Sequence, residues 1–367
     1  MKILFVTPFA PSNIGAAMKF TKAIIENLAQ NNSIDVVYFK NSDESKYEPL
    51  IEGVRILVKI DVSTLSRIKG IIQRPFGHPV FSVRFSNSIR KKIATYMNMN
   101  HYDLLFLDHS QTFIYGLDYP DVPKILMSHD VMCQRIERTH GKMITWLTKK
   151  TEKKYMSQKN SYIYTFSTKD KQIIKNEYGI DSYVTCGNID PLAYKVIPQN
   201  VDNQFVFFGQ WVRADNLDGL EWFLTQVLPE TPINWKFFII GRGLPERIKE
   251  LITKDNRVVY KGFVDNPYEQ IANCKAMLSP LFSGAGVKFK VLESLACGTP
   301  VIGTEIAFEG IPTEYDKFMI KANTIDEYVY SMRNLSFTRE ERIALKNKFI
   351  QSYVNNGLVE FINNFRK

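Results

Sequence analysis

SGAGVKFKVLESLACGTPVIG, running from Ser283 to Gly303, decides the fold class of this chain. An apolar run ending at Pro280 feeds a Gly-Ala-Gly turn. A helical stretch from Val287 to Cys297 follows, and Gly298 closes it before the apolar run Val301 to Gly303. A glycine-rich strand-to-helix turn lets backbone N–H groups approach a phosphate, and the helix N-terminus adds partial positive charge. Gly284, Ala285, Gly286 and Val287 are therefore candidates to cradle a diphosphate. On a wheel of 3.6 residues per turn, Val287, Phe289, Val291, Leu292, Leu295 and Ala296 share a broad apolar arc. Lys290, Glu293 and Ser294 share the narrow polar one. That pattern offers Lys290 to phosphate oxygens and Glu293 to ribose hydroxyls, against the alternative of a surface ion pair worth ~0.2–0.5 kcal/mol. Lys288 falls among the apolar positions, so it belongs to the loop or bends back over the turn.

Working outward, the same rhythm repeats. Strand candidates are Lys2–Thr7, Ile34–Phe39, Val54–Lys59, Asp103–Asp108, Lys124–Ser128 and Tyr162–Ser167, and then Phe205–Gly209, Lys236–Ile240, Val258–Tyr260, Ala276–Pro280 and Val301–Gly303. Near-continuous apolar runs alternating with helical stretches predict parallel sheets covered by helices on both faces, an α/β architecture. The 367 residues exceed one ordinary core and suit two. The aperiodic stretch 188–203, with Pro191 and Pro198, is the expected linker between domains at 1–187 and 204–350. A C-terminal helix within 351–367 is expected to pack back towards the first domain.

FFGQWVRADNLDGLEWFLTQVLP (Phe207 to Pro229), FFIIGRG (Phe237 to Gly243), VVYKGFVDN (Val258 to Asn266) and the opening segment occur in an order and spacing that resemble the group-one, or family-four, retaining glycosyltransferases of the GT-B fold. The resemblance covers most of the second half. In the first half it rests on the opening strand, the Gly15-Ala16-Ala17 turn and the tripeptide Ser128 to Asp130. It implies two Rossmann-like domains facing a cleft, and metal-independent transfer, with retention, from a nucleotide-sugar donor such as a UDP- or GDP-sugar. The expected acceptor is a glycan or lipid-linked glycan, in surface polysaccharide assembly, and the motivation for a lipid-linked one is the basic, partly apolar first half. Residue by residue, it implies that His129 contacts the donor sugar and that Lys288 and Lys290 meet the leaving diphosphate. Arg213 would reach the same diphosphate. From the residues themselves, Arg242, set between Gly241 and Gly243 after a strand, is a candidate to line the base pocket, and the small Gly15 and Ala16 at a turn into the first helix would let a backbone N–H approach the donor phosphate. The family commonly carries a glutamate eight positions before Glu293. Here that position is Ala285, as in the subset with a Gly-Ala-Gly turn and lysines. His109-Ser110, after the fourth strand, is a second candidate pair on the same edge.

Residues 1 to 190 hold 26 Lys and Arg against 18 Asp and Glu, an excess of eight positive charges out of the net +9. Within Arg67 to Lys92 and Lys142 to Lys159, basic residues mingle with Ile71, Ile72, Phe76, Phe81, Phe85 and Trp146. That mixture suits contact with an anionic membrane surface, or else two solvated helix faces. The opening MKILFVTPFAPSNIGAA is broken by Pro8 and Pro11 and is expected to be a strand, not a leader. No run reaches the ~18 apolar residues needed to span a bilayer. A cytoplasmic protein, peripheral at the inner membrane face, is the resulting expectation. Four dispersed cysteines and the lack of an Asp-x-Asp motif point to no disulfide framework, metal or other cofactor. Competing functions are a nucleotide-sugar epimerase of the same fold, which needs acid and base groups around the sugar, and a basic nucleic-acid-binding protein, for which no recognised module is present.

Overall fold

The computed structural model describes residues 1–13, 15–41, 51–73, 79–199, 201–353 and 357–365. The chain divides into two compact units, one of Met1–Asn188 with Asn355–Lys367 and one of Ile189–Val354. The first contains β1 (Lys2–Thr7), β2 (Ser33–Asn41), β3 (Val54–Val62), β4 (Leu104–Asp108), β5 (Lys124–Ser128), β6 (Ser161–Thr165) and β7 (Tyr183–Val184). All pair in parallel, in the order β3-β2-β1-β4-β5-β6-β7. The second contains β8 (Gln204–Phe208), β9 (Lys236–Ile240), β10 (Val258–Gly262), β11 (Ala276–Ser279), β12 (Val301–Gly303) and β13 (Met319–Lys321). These are parallel too, in the order β10-β9-β8-β11-β12-β13.

Burial explains the composition of the strands. Every residue of β4, β5 and β11 is buried, as apolar runs covered by helices on both faces must be. Several strand ends differ from the sequence expectation by a residue or two, and two of the differences have local reasons. Pro280 lies just outside β11 because it has no N–H to give the ladder. Ser167 leaves β6 to cap the Thr168–Tyr178 helix, its hydroxyl accepting from the Asp170 N–H at 3.0 Å.

In both units the strand order reverses at one place, between β1 and β4 and between β8 and β11. Ligands of open α/β sheets bind beyond the strand carboxyl ends at such switch points. In the second unit this place is built tightly. A Cβ at Gly219, within the Ala214–Trp222 helix, would lie 1.6 Å from the Pro280 carbonyl oxygen, so only glycine lets the helix cross the end of β11.

The final helix, Gly357–Asn363, belongs to the first unit. Leu358 and Ile362 are buried, and Phe361 lies 5.0 Å from the Tyr162 ring and 5.9 Å from that of Tyr164.

Candidate functional site

The Gly-Ala-Gly turn leaves β11 beside the switch point of the second unit. Gly284 and Gly286 have φ of 116° and 68°, values open to glycine. The helix begins at Phe289, not at Val287, because Gly286 is left-handed and Lys288 is extended at the cap position. Lys288 bends back over the turn and donates to the carbonyls of Gly286 at 2.7 Å and Ala285 at 3.4 Å. Lys290, in the first helical turn, donates at 2.9 Å to Asn216 Oδ1 in the segment that follows β8. Asn216 is fixed in turn by donating to the Gln210 carbonyl at 3.0 Å. Arg213 caps the Ala214–Trp222 helix and makes a two-point ion pair with Asp215, at 3.0 and 2.7 Å. Asp215 Oδ2 would lie 3.6 Å from a Cβ at Gly284, which places the ion pair beside the turn.

Three cations therefore gather where β8 and β11 part, and Asp215 balances one of them. Burial pushes Lys290 down to about 7, and the charges of Lys288 and Arg213 push the same way against Asp215. A lysine held partly discharged by burial and by other cations is relieved by an incoming anion.

Glu293 differs from the helical-wheel expectation. The supposed polar arc is interior: Ser294 is fully buried and donates to the Thr299 carbonyl at 3.0 Å. Glu293 is 6% exposed, and its Oε1 accepts from the Tyr268 hydroxyl at 2.8 Å. The surface pair with Lys290 is not formed, since each partner turns to a different segment. Glu293→Ala is accordingly expected to remove the buried acceptor of the Tyr268 hydroxyl and cost roughly 1–3 kcal/mol of stability. Thermal unfolding checks this, and an unchanged transition would return Glu293 to a solvated role. Arg242 follows β9 and lays its guanidinium 3.8 Å from the centre of the Phe263 ring, a flat cationic platform.

In the first unit the switch point gathers a second cluster. Asp108, the last residue of β4, is fully buried. Its Oδ1 lies 2.6 Å from His129 Nε2, just beyond β5, and its Oδ2 accepts from the hydroxyls of Thr7 at 2.9 Å and Thr21 at 2.6 Å. Burial opposes ionisation of Asp108, but the His129 charge and these hydrogen bonds together hold its carboxyl below the usual range. Phe20 and Phe166 pack edge-on against the His129 ring at 5.4 and 5.1 Å. His109, at a left-handed φ of 69°, lies 5.3 Å from His129, and burial pushes it down to about 4, so it is neutral near pH 7. Gly15 caps the Ala16–Ala29 helix in an extended conformation.

The basic and apolar stretches sort differently from their expected surface. Phe81 and Phe85 are core residues, Ile71 is half-buried, and Phe76 lies outside the described residues. Ile72 and Trp146 are exposed as expected, and Leu65 and Ile68 on the Thr64–Gln73 helix and Met143 on the Lys142–Met156 helix join them. That second helix buries Thr145, Thr148, Thr151, Glu152, Tyr155 and Met156. It turns Met143, Trp146, Lys150, Lys153 and Lys154 outward. Lys150 Nζ stands 5.2 Å over the Trp146 ring, whereas Lys149 pairs with Glu177 at 2.9 Å. Among the described residues no helix is long and apolar enough to cross a membrane, and no three His, Cys, Asp or Glu side chains group as metal ligands.

Sequence reasoning located the turn, the lysines and His129, but missed Asp108, Thr7, Thr21 and Tyr268. A single signal was available for one of them: Asp108 closes an apolar run immediately before His109.

Residues 202–336 match the family of group 1 glycosyl transferases. An uncharacterized 44.6 kDa protein in the cps region of Klebsiella pneumoniae is 28% identical over 151 residues, which is 36% of this chain and 37% of that one. The chain thus spans little more than a third of the length of this curated relative. Among solved structures, sucrose-phosphate synthase from Thermosynechococcus elongatus superposes with a TM-score of 0.75 at 13% identity, over 100% of this chain and 98% of that one. HepE from Anabaena, solved with UDP and glucose, gives 0.70 at 14% identity over 99% and 100%. WaaG, a glycosyltransferase involved in lipopolysaccharide biosynthesis, gives 0.70 at 12% over 99% of each. The whole chain therefore has the two-domain GT-B fold of these enzymes.

Proposed function

We propose, from the premise that the second unit is a group 1 glycosyl transferase domain, that this protein transfers a sugar from a nucleotide-diphosphate donor to a glycan or lipid-linked glycan. The observation that carries the proposal is the cation-lined Gly-Ala-Gly turn at the β8/β11 switch point, which lies inside the matched residues. Lys288, Lys290 and Arg213 are positioned to meet a diphosphate whose charge grows as the sugar leaves. Gly284 to Val287 supply close backbone, Arg242 on Phe263 suits a stacked base, and Gly15 with Ala16 brings a helix N-terminus. Glu293, bonded to Tyr268 through Oε1, is the candidate for the ribose hydroxyls. His129 is the candidate for the sugar. Retention at the anomeric carbon and independence from metal belong to the same proposal, as does a role in surface polysaccharide assembly, which the cps-region relative supports.

The test is turnover of UDP- and GDP-sugars with and without a chelator, with the product anomer read by NMR. A retained linkage formed equally well with chelator present is expected. An inverted linkage, or activity lost to the chelator, would sink the corresponding part.

An acceptor anchored in anionic lipid fits the outward stripe of Met143, Trp146, Lys150, Lys153 and Lys154. Each lysine near such a surface contributes ~1 kcal/mol, so replacing Lys150, Lys153 and Lys154 by Gln is expected to weaken vesicle binding on the order of a hundredfold at low salt. Sedimentation with anionic and neutral vesicles checks it. Equal partition into both, or no loss in the variant, would favour a soluble acceptor.

A further inference from the structure

His129 is held on one side with unusual completeness. Asp108 is fully buried, and its two oxygens divide their work: Oδ1 lies against His129 Nε2 at 2.6 Å, and Oδ2 takes the hydroxyls of Thr7 and Thr21. Thr21 reaches Asp108 from the helix that follows β1, and Thr7 from the end of β1 itself, so three neighbouring segments converge on one carboxylate. The Thr21 hydroxyl is also 2.9 Å from the Ala17 carbonyl, but its one proton favours the shorter, charge-assisted bond at 2.6 Å. Thr7 in turn accepts from the Phe9 N–H at 3.3 Å, which ties the network to the loop after β1. An ionised carboxylate only accepts, so the atom facing it must be the donor, Nε2–H. Phe20 and Phe166 fix the plane of the ring edge-on. Among the described residues Nδ1 has no hydrogen-bond partner.

We propose that Asp108 is a positioning residue for His129. Its carboxylate keeps the proton on Nε2 and fixes the ring, so that Nδ1 is the acceptor offered to a hydroxyl of the bound sugar. This rests on the glycosyl-transfer reading only for the identity of that hydroxyl. A bond to a buried carboxylate selects one imidazole tautomer and one ring orientation together. Removing the carboxylate while keeping its shape releases both.

Two measurements test it. The ring nitrogens of His129 in the wild-type protein, resolved by long-range nitrogen–proton NMR and assigned with a His129→Gln variant, are expected to show the Nε2–H tautomer when the ring is neutral. An Nδ1–H tautomer overturns the proposal whatever the enzyme's activity, and does not require any variant at Asp108 to fold. In Asp108→Asn the signals are expected to move towards a mixture of tautomers. The kcat for sugar transfer is expected to fall ten- to hundredfold, with the donor KM changed less than threefold. Thr21→Val keeps the charge and is expected to keep the tautomer, losing less than threefold in kcat. A single Nε2–H tautomer and unchanged kcat in Asp108→Asn would overturn the assignment. If no sugar donor is turned over by the wild type, the functional reading fails while the tautomer result still decides the role of Asp108.

Discussion

Replacing Lys290 with methionine is expected to lower kcat/KM for sugar transfer by roughly two to three orders of magnitude, the usual loss when one preorganised donor to developing charge is removed. Methionine keeps the unbranched stem and lacks the ammonium, so the helix and its buried face remain, and circular dichroism should be unchanged. What disappears is a cation held at 2.9 Å by Asn216 between the first turns of two helices and pushed down to about 7 by burial and by Lys288 and Arg213. The sign of the accompanying pH effect follows. The donor binds the protonated lysine, and its diphosphate raises the lysine's pKa in the complex. Affinity is therefore level below pH 7 and falls by about tenfold per unit above it, until the bound-state value is reached. Near pH 7 binding takes up roughly half a proton, which calorimetry in buffers of different ionisation heat measures directly. The methionine variant should lose that uptake. A pH-independent affinity in the wild type would mean that Lys290 is fully charged before the donor arrives or does not meet it, and an unchanged affinity in the methionine variant would single out the second.

Gly219→Ala is the second large effect, and it runs against local propensity. In a helix interior the change ordinarily gains about 1 kcal/mol. Here the new methyl would stand 1.6 Å from the Pro280 carbonyl oxygen, so the helix and the end of β11 must separate. Overpacking against backbone is expected to cost about 3 kcal/mol or more, lowering Tm by about 6–12 °C for a unit of this size. The same shift moves Asn216 away from Lys290 and the Gly-Ala-Gly turn, so donor affinity should fall even in the fraction that stays folded. Calorimetry of unfolding and donor titration read the two losses separately. An unchanged Tm would mean that the helix has room to move.

The sheets were legible because a strand covered on both faces is apolar along most of its length, as β4, β5 and β11 are between their polar ends. The shortest strands escaped. β7 has two residues and β13 three, and in Met319–Lys321 only Met319 is buried, too little for a pattern. The Gly-Ala-Gly turn was legible because glycine at positive φ leaves a mark in the sequence. Glu293 was misplaced because a helical wheel assumes that polar arcs meet water. The residue that covers it, Tyr268, is 25 positions away, and its reach is a tertiary fact. Asp108 was overlooked for the same reason: its partners Thr7 and Thr21 lie 101 and 87 positions distant. Phe81 and Phe85 sit among basic residues in the sequence, yet point inward, because alternation along the chain says nothing about which side the core is on.

The closing helix carries a consequence for how the molecule comes into being. The bulk of the first unit leaves the ribosome before the second, but Tyr162 and Tyr164 receive Phe361 only from the Gly357–Asn363 helix, and Asn32 meets Asn363 at 2.8 Å across 331 positions. Until residue 361 has been made, a half-built unit carries an uncovered aromatic surface while the second unit is threaded out behind it. Such surfaces invite association between nascent chains. A version of the first unit made by stopping near residue 188 keeps that surface permanently, whereas a circularly permuted chain that begins with the closing helix covers it at the start.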